Sequence, residues 1–145
     1  MKDIGTQIRT VSSLVPVLKT ADTDCTGVDL QGYESAEVVF FIGARGDTWD
    51  ASNHIQLEIE ESSDNSTYTD VADASLTDTV TGTNTGTVAK LDAAGDGSQI
   101  YRTSYIGGSR YIRPVLNFTG THSTGTVIGA LVILGNARSA PTANP

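Results

Sequence analysis

A period-two alternation of apolar and polar residues constrains this chain more than any other feature. Ile55-Gln56-Leu57-Glu58-Ile59-Glu60-Glu61 alternates at nearly every step, the pattern of a strand with one dry and one wet face. No window carries the apolar i, i+3, i+4, i+7 stripe of a helix. Ser35–Ile42 and Thr126–Leu134 are denser in Val, Ile, Phe and Leu, as central strands are. Val11–Leu18, Gly86–Leu91, Gln99–Ile106 and Tyr111–Phe118 are further strand candidates. Turn signals separate them, among them Gly43-Ala44-Arg45-Gly46-Asp47, Ser62-Ser63-Asp64-Asn65-Ser66, Ala94-Gly95-Asp96-Gly97 and Gly107-Gly108-Ser109. Short strands at this spacing, with no helix between them, predict an all-β fold: a single antiparallel β-sandwich or barrel, jelly-roll-like. Pro16 and Pro114 fall inside predicted strands, and a residue with no N–H to donate marks each strand as an edge or as bulged there.

A chain of 145 residues suits one domain that buries roughly two-thirds of its unfolded surface. Its single Cys excludes an internal disulfide framework, and no apolar run reaches the roughly 18–20 residues of a membrane span. Met1-Lys2-Asp3-Ile4-Gly5 has neither the charged nor the apolar region of a secretion signal, which gives the expectation of a chain made in a cytoplasm. Residues 1–10 read as an N-terminal arm, 11–135 as the β-sandwich domain, and 136–145 (NARSAPTANP) as a flexible or docked tail. From Thr77 to Thr87 every second residue is Thr. That run reads equally as an exposed β-arm turning near Asn84 or as a solvated loop.

The net charge is -8, which disfavours nucleic acid as a partner. All 17 Asp and Glu lie between Asp3 and Asp96, and residues 1–96 hold five basic residues, so that part carries -12. Residues 97–145 hold Arg102, Arg110, Arg113 and Arg138 with no acidic side chain, giving +4. Such asymmetry holds one half of a chain against the other, or one subunit against the next.

Residues suited to catalysis are sparse. His54 and His122 are the two histidines and Cys25 the one thiol; no Gly-x-Ser-x-Gly elbow is present, and the reading is of a protein that is not an enzyme. Asp22-Thr23-Asp24-Cys25-Thr26-Gly27 resembles the start of a calcium loop, but Tyr33 stands where the bidentate Glu belongs, so a polar turn is the simpler reading and no metal site is assigned. Arg45-Gly46-Asp47 matches an adhesion tripeptide and equally makes an ordinary turn. Trp49, between acidic neighbours, fits either sugar stacking or packing at the sandwich edge.

The densest feature runs from Tyr101 to Pro114. Tyr101, Thr103 and Tyr105 share one strand face and Arg102 the other; a hairpin at Gly107–Ser109 would bring Tyr105 nearly opposite Tyr111. Because Tyr and Arg carry much of the energy of protein interfaces, Arg102, Tyr105, Arg110, Tyr111 and Arg113 are the candidate subunit or capsid interface. A core hairpin with solvated Arg heads is the alternative. Here the sequence resembles a known group. Tyr105–Pro114, Ile59–Val71 and Val28–Ala36 with the apolar strand after it are similar to segments of small β-rich virion proteins of tailed bacteriophages, nearest in size and texture to head decoration (cement) proteins. The resemblance implies a homo-oligomer, a trimer, on the capsid exterior, with the major capsid protein as partner, no cofactor, no catalysis and no membrane. A tail or head–tail connector component, or a carbohydrate-binding adhesin module, are the alternative readings.

Overall fold

The structure, a computed structural model, describes residues 3–80 and 84–139. Its strands are β1 (Ile8–Lys19), β2 (Thr23–Asp24), β3 (Val28–Asp29), β4 (Ser35–Ile42), β5 (His54–Ser62), β6 (Thr69–Asp70), β7 (Thr87–Leu91), β8 (Ile100–Tyr105), β9 (Tyr111–Thr119) and β10 (Thr126–Gly135). Asp73–Ser75 and Ala94–Asp96 are single 3-10 turns. All strand pairs are antiparallel and form two sheets. The first runs β1-β10-β4-β8; in the second β9 lies between β5 and the short β2 and β3, while β6 and β7 share the far side of β5. The two sheets pack as a sandwich, as the alternation predicts.

The core comes from alternate residues of both sheets. Val38, Phe40 and Ile42 on β4, Ile128, Ala130, Val132 and Leu134 on β10, and Ile55, Leu57 and Ile59 on β5 are all buried in one cluster. Ile112 and Leu116 join it from β9. Since side chains point to opposite faces along a strand, Glu37, Val39 and Phe41 face outward from the first sheet, and Gln56, Glu58 and Glu60 outward from the second.

Both prolines sit where a missing N–H is harmless. Pro16 lies on β1, an edge strand, within the second of two breaks in the β1–β10 register, the one between Leu14 and Val17, and packs over Gly129, where a Cβ would come within 2.9 Å of its ring. Pro114 departs from the expectation: β9 is an interior strand with no break in its β5 register. Its carbonyl accepts the Cys25 N–H at 3.1 Å, so its nitrogen faces the gap between β2 and β3, where no ladder needs a donor. In the same gap the Thr26 N–H donates to Ser13 O at 3.1 Å, tying β1 to the second sheet's margin.

β1 begins at Ile8, inside the segment assigned to an arm, and pairs Ile8–Thr10 with Gly135–Ile133. At the other end the Arg138 N–H donates to Gly32 O at 2.9 Å. The Thr77–Thr87 run is partly described: Thr77 N–H donates to Ser104 O at 3.1 Å and Val80 N–H to Thr87 O at 2.9 Å, so both flanks lie against the body. Residues 81–83 fall outside the described residues.

Adjacent residues on β4 test the facing. Phe40 is fully buried and Phe41 is 38% exposed. Phe40→Ala should cost about 3–5 kcal/mol in urea unfolding, and Phe41→Ala no more than about 1 kcal/mol; equal costs would contradict this arrangement.

Candidate interaction site

The chain does not turn back as a hairpin after Tyr105. β8 belongs to the first sheet and β9 to the second, so residues 106–110 carry the chain across the sandwich. Tyr105 and Tyr111 are therefore not ladder partners; Tyr105 pairs with Ala36 and Tyr111 with Ser62 and Asp29. Two-residue Gly signals are common to hairpins and to crossings, and the tertiary partners decide between them.

Tyr105 holds this crossing. Its ring is buried, its hydroxyl donates to the Glu61 carboxylate, and the same oxygen accepts the Ser109 N–H at 2.8 Å. Burial, with the Glu61 hydrogen bond, pushes the phenol above its usual range. A Cβ at Gly107 would lie 2.4 Å from the Tyr105 hydroxyl oxygen, so the loop closes over the ring only with glycine there.

Beside it Arg110 forks onto Asp29, Nε to Oδ1 at 3.1 Å and Nη2 to Oδ2 at 2.7 Å. Its guanidinium also sits 4.9 Å from the Tyr111 ring centroid, while its carbonyl accepts the Leu30 N–H at 2.8 Å. On the outer face of the second sheet Arg113 bridges Glu60 at 2.5 Å and Asp24 at 3.0 Å, and its guanidinium stacks 4.2 Å from the centre of Tyr68. Tyr105, Arg110, Tyr111 and Arg113 thus gather around one end of the sandwich. Arg102 stands apart on the outer face of the first sheet, paired with Glu37 at 2.7 Å. With Arg138–Glu34 at 3.5 Å, all four arginines of residues 97–145 meet acidic residues of the preceding part.

Next to the crossing a cleft of about 490 Å³ opens between Leu30–Ala36 and Tyr105–Arg110, with Arg138 at its rim. Sequence pattern does not mark Tyr33 or Arg138 as cleft residues, because a loop residue's neighbours depend on stretches of chain far away. Glu58 was missed for the same reason. It is only 3% exposed on the outward side of β5 and accepts from Asn84 Nδ2 at 3.1 Å, Gln56 Nε2 at 3.2 Å, Thr87 Oγ1 at 3.3 Å and Asn117 Nδ2. Burial raises its carboxyl pKa and these donors pull the other way.

The remaining candidates are engaged in structure. His54 and His122 are buried against the carbonyls of Ala51 and Thr119, at 3.1 and 3.0 Å. Cys25 is buried, which pushes its thiol up to about 11. Asp22 accepts the Phe118 N–H at 2.7 Å while Asp24 meets Arg113, so the two carboxylates of the calcium-like turn serve separate partners. Among the described residues no cluster of three or more His, Cys, Asp or Glu is placed to hold a metal ion. Asp47 of the Arg-Gly-Asp segment accepts the Thr124 and Gly125 N–H groups at 3.0 and 2.7 Å. Trp49 is 3% exposed in the core, which corrects the sugar-stacking option for that residue.

No protein-family model matches the sequence, and no curated protein matches it significantly. Several solved structures are similar at a low level. One of Bacillus endospore appendages, disulfide-linked pili, is 12% identical with a TM-score of 0.41, covering 93% of this chain and 95% of that one. The CBM22-1–GH10 modules of Clostridium thermocellum xylanase 10B with xylohexaose are 11% identical, TM-score 0.43, covering 96% and 28%. Infectious bursal disease virus, Gx strain, is 10% identical, TM-score 0.39, covering 93% and 33%. This chain spans a third or less of the latter two chains, and the fold described above rests on its own strand register.

The Asp29–Arg110 fork has a signature in acid. The Arg110 hydrogen bond holds the Asp29 carboxyl below its usual value of 3.8. A depressed folded-state pKa adds stability above the unfolded value, which is lost as pH falls through the folded one. Melting midpoints measured from about pH 5 to about pH 2 should therefore fall less steeply for Arg110→Ala than for the wild type. Identical slopes would mean the fork is not formed.

Proposed function

We propose that this chain is a non-enzymatic structural protein of a virion, a decoration protein that binds the outside of a tailed-phage capsid as a homo-oligomer and stabilises it. One observation carries the reading. The three segments that resemble such proteins, residues 28–36, 59–71 and 105–114, converge on one end of the sandwich through Asp29–Arg110, Glu61–Tyr105 and Tyr68–Arg113. A contiguous surface made from distant segments is what a docking end requires. Its arginines are engaged within the chain, so the capsid would meet the crossing loop itself, where Ile106 is 65% exposed. Weak contacts of this size gain strength when repeated over a symmetric shell.

Co-sedimentation with capsid shells lacking the protein tests the proposal. Saturable binding at a fixed ratio to the major capsid protein is expected, and Ile106→Asp should lower the affinity about ten-fold or more with the folded spectrum intact. No binding to intact shells would overturn it in favour of a tail or head–tail connector role.

A further inference from the structure

The outward face of the first sheet is unlike the rest of this acidic chain. Phe41 on β4, Val127 on β10, Leu18 on β1 and Ile100 on β8 are 38%, 45%, 56% and 61% exposed. In the rows beyond Phe41, half-buried Leu131 and Ile133 and the buried Val39 point the same way by strand alternation. Shallow grooves of about 360 and 420 Å³ lie on this face, one beside Pro16, Phe41 and Leu131 and the other beside Ile4 and Ile133. A connected apolar surface of this kind marks an interaction site.

Charge selects the occupant. The chain carries -8 overall, so two copies repel one another through most of their surfaces. On this face Glu37 and Arg102 stand side by side, paired at 2.7 Å with side chains 28% and 71% exposed, and Asp78 lies near Arg102 at the β8 margin. A face-to-face pair related by a two-fold axis needs a patch complementary to itself. An apolar field with the positive Arg102 beside the negative Glu37 and Asp78 meets that need. The sheet's edges are less suited: β1 is interrupted by Pro16 and two register breaks, and β8 is bridged by Leu76 and capped by Thr77.

We infer that this face, built on β1, β10, β4 and β8, binds the same face of a second copy of the chain. The inference rests on the self-association in the function proposed above and differs from the trimer implied by resemblance. It requires no capsid, so its failure is separable from failure of capsid binding.

Sedimentation velocity of the full chain over a concentration series is the test. The wild type should form a dimer, and Phe41→Glu and Val127→Glu should each raise the dissociation constant about ten-fold or more with unchanged far-ultraviolet circular dichroism. Ile100→Lys, at a more exposed position, repeats the test should either variant unfold. A wild type that stays monomeric, a three-fold species, or variants as dimeric as the wild type would overturn the inference.

Discussion

Tyr105 stands where the chain leaves one sheet for the other, and its hydroxyl joins three pieces at once. It donates to Glu61 at the end of β5, accepts from Ser109 in the crossing loop, and belongs to β8 itself. A buried hydroxyl without partners costs about 1–3 kcal/mol, so the register of β8 against β4 and that of β9 against β5 are fixed together. Arg110 and Arg113 continue the same joint on either side of Tyr111, one to Asp29 and the other to Glu60 and Asp24. The basic end of the sequence is thereby folded back on its acidic beginning.

This use of charge leaves the two outer faces unequal. The second sheet's face is polar and tied down: Glu58 is buried under Asn84, Thr87 and Asn117, and Glu60 is covered by Arg113. Buried carboxylates persist only when their oxygens are satisfied, and here the covering groups come from two separate stretches of chain, residues 84–87 and β9. The first sheet's face carries Val39, Phe41, Leu131 and Ile133 with little charge. A sandwich with one satisfied polar face and one apolar face has a defined side on which to associate.

The long strands were legible because their alternation is local. β1, β4, β5, β7, β8, β9 and β10 each lie within a residue or a few of the runs read from the sequence. The two-residue strands β2, β3 and β6 were not, since they exist only as partners of β9 and β5. The same distinction explains the misread hairpin at Gly107–Ser109 and the interior place of Pro114: turn chemistry is local, while the sheet a strand joins is not. Among the candidate residues, four gather at one end as their clustering in sequence suggests. Arg102 is drawn away by strand alternation, and Trp49, open in the sequence between sugar stacking and packing, is packed into the core.

The arginines of the later part of the chain are structural ties to its acidic part, and Arg113 is the most enclosed of them. A double-mutant cycle of Arg113→Ala and Glu60→Ala, read by urea unfolding, measures that tie. With these side chains only 20% and 18% exposed, a coupling of about 1 kcal/mol or more is predicted. Single-variant costs that add to within about 0.3 kcal/mol would contradict it.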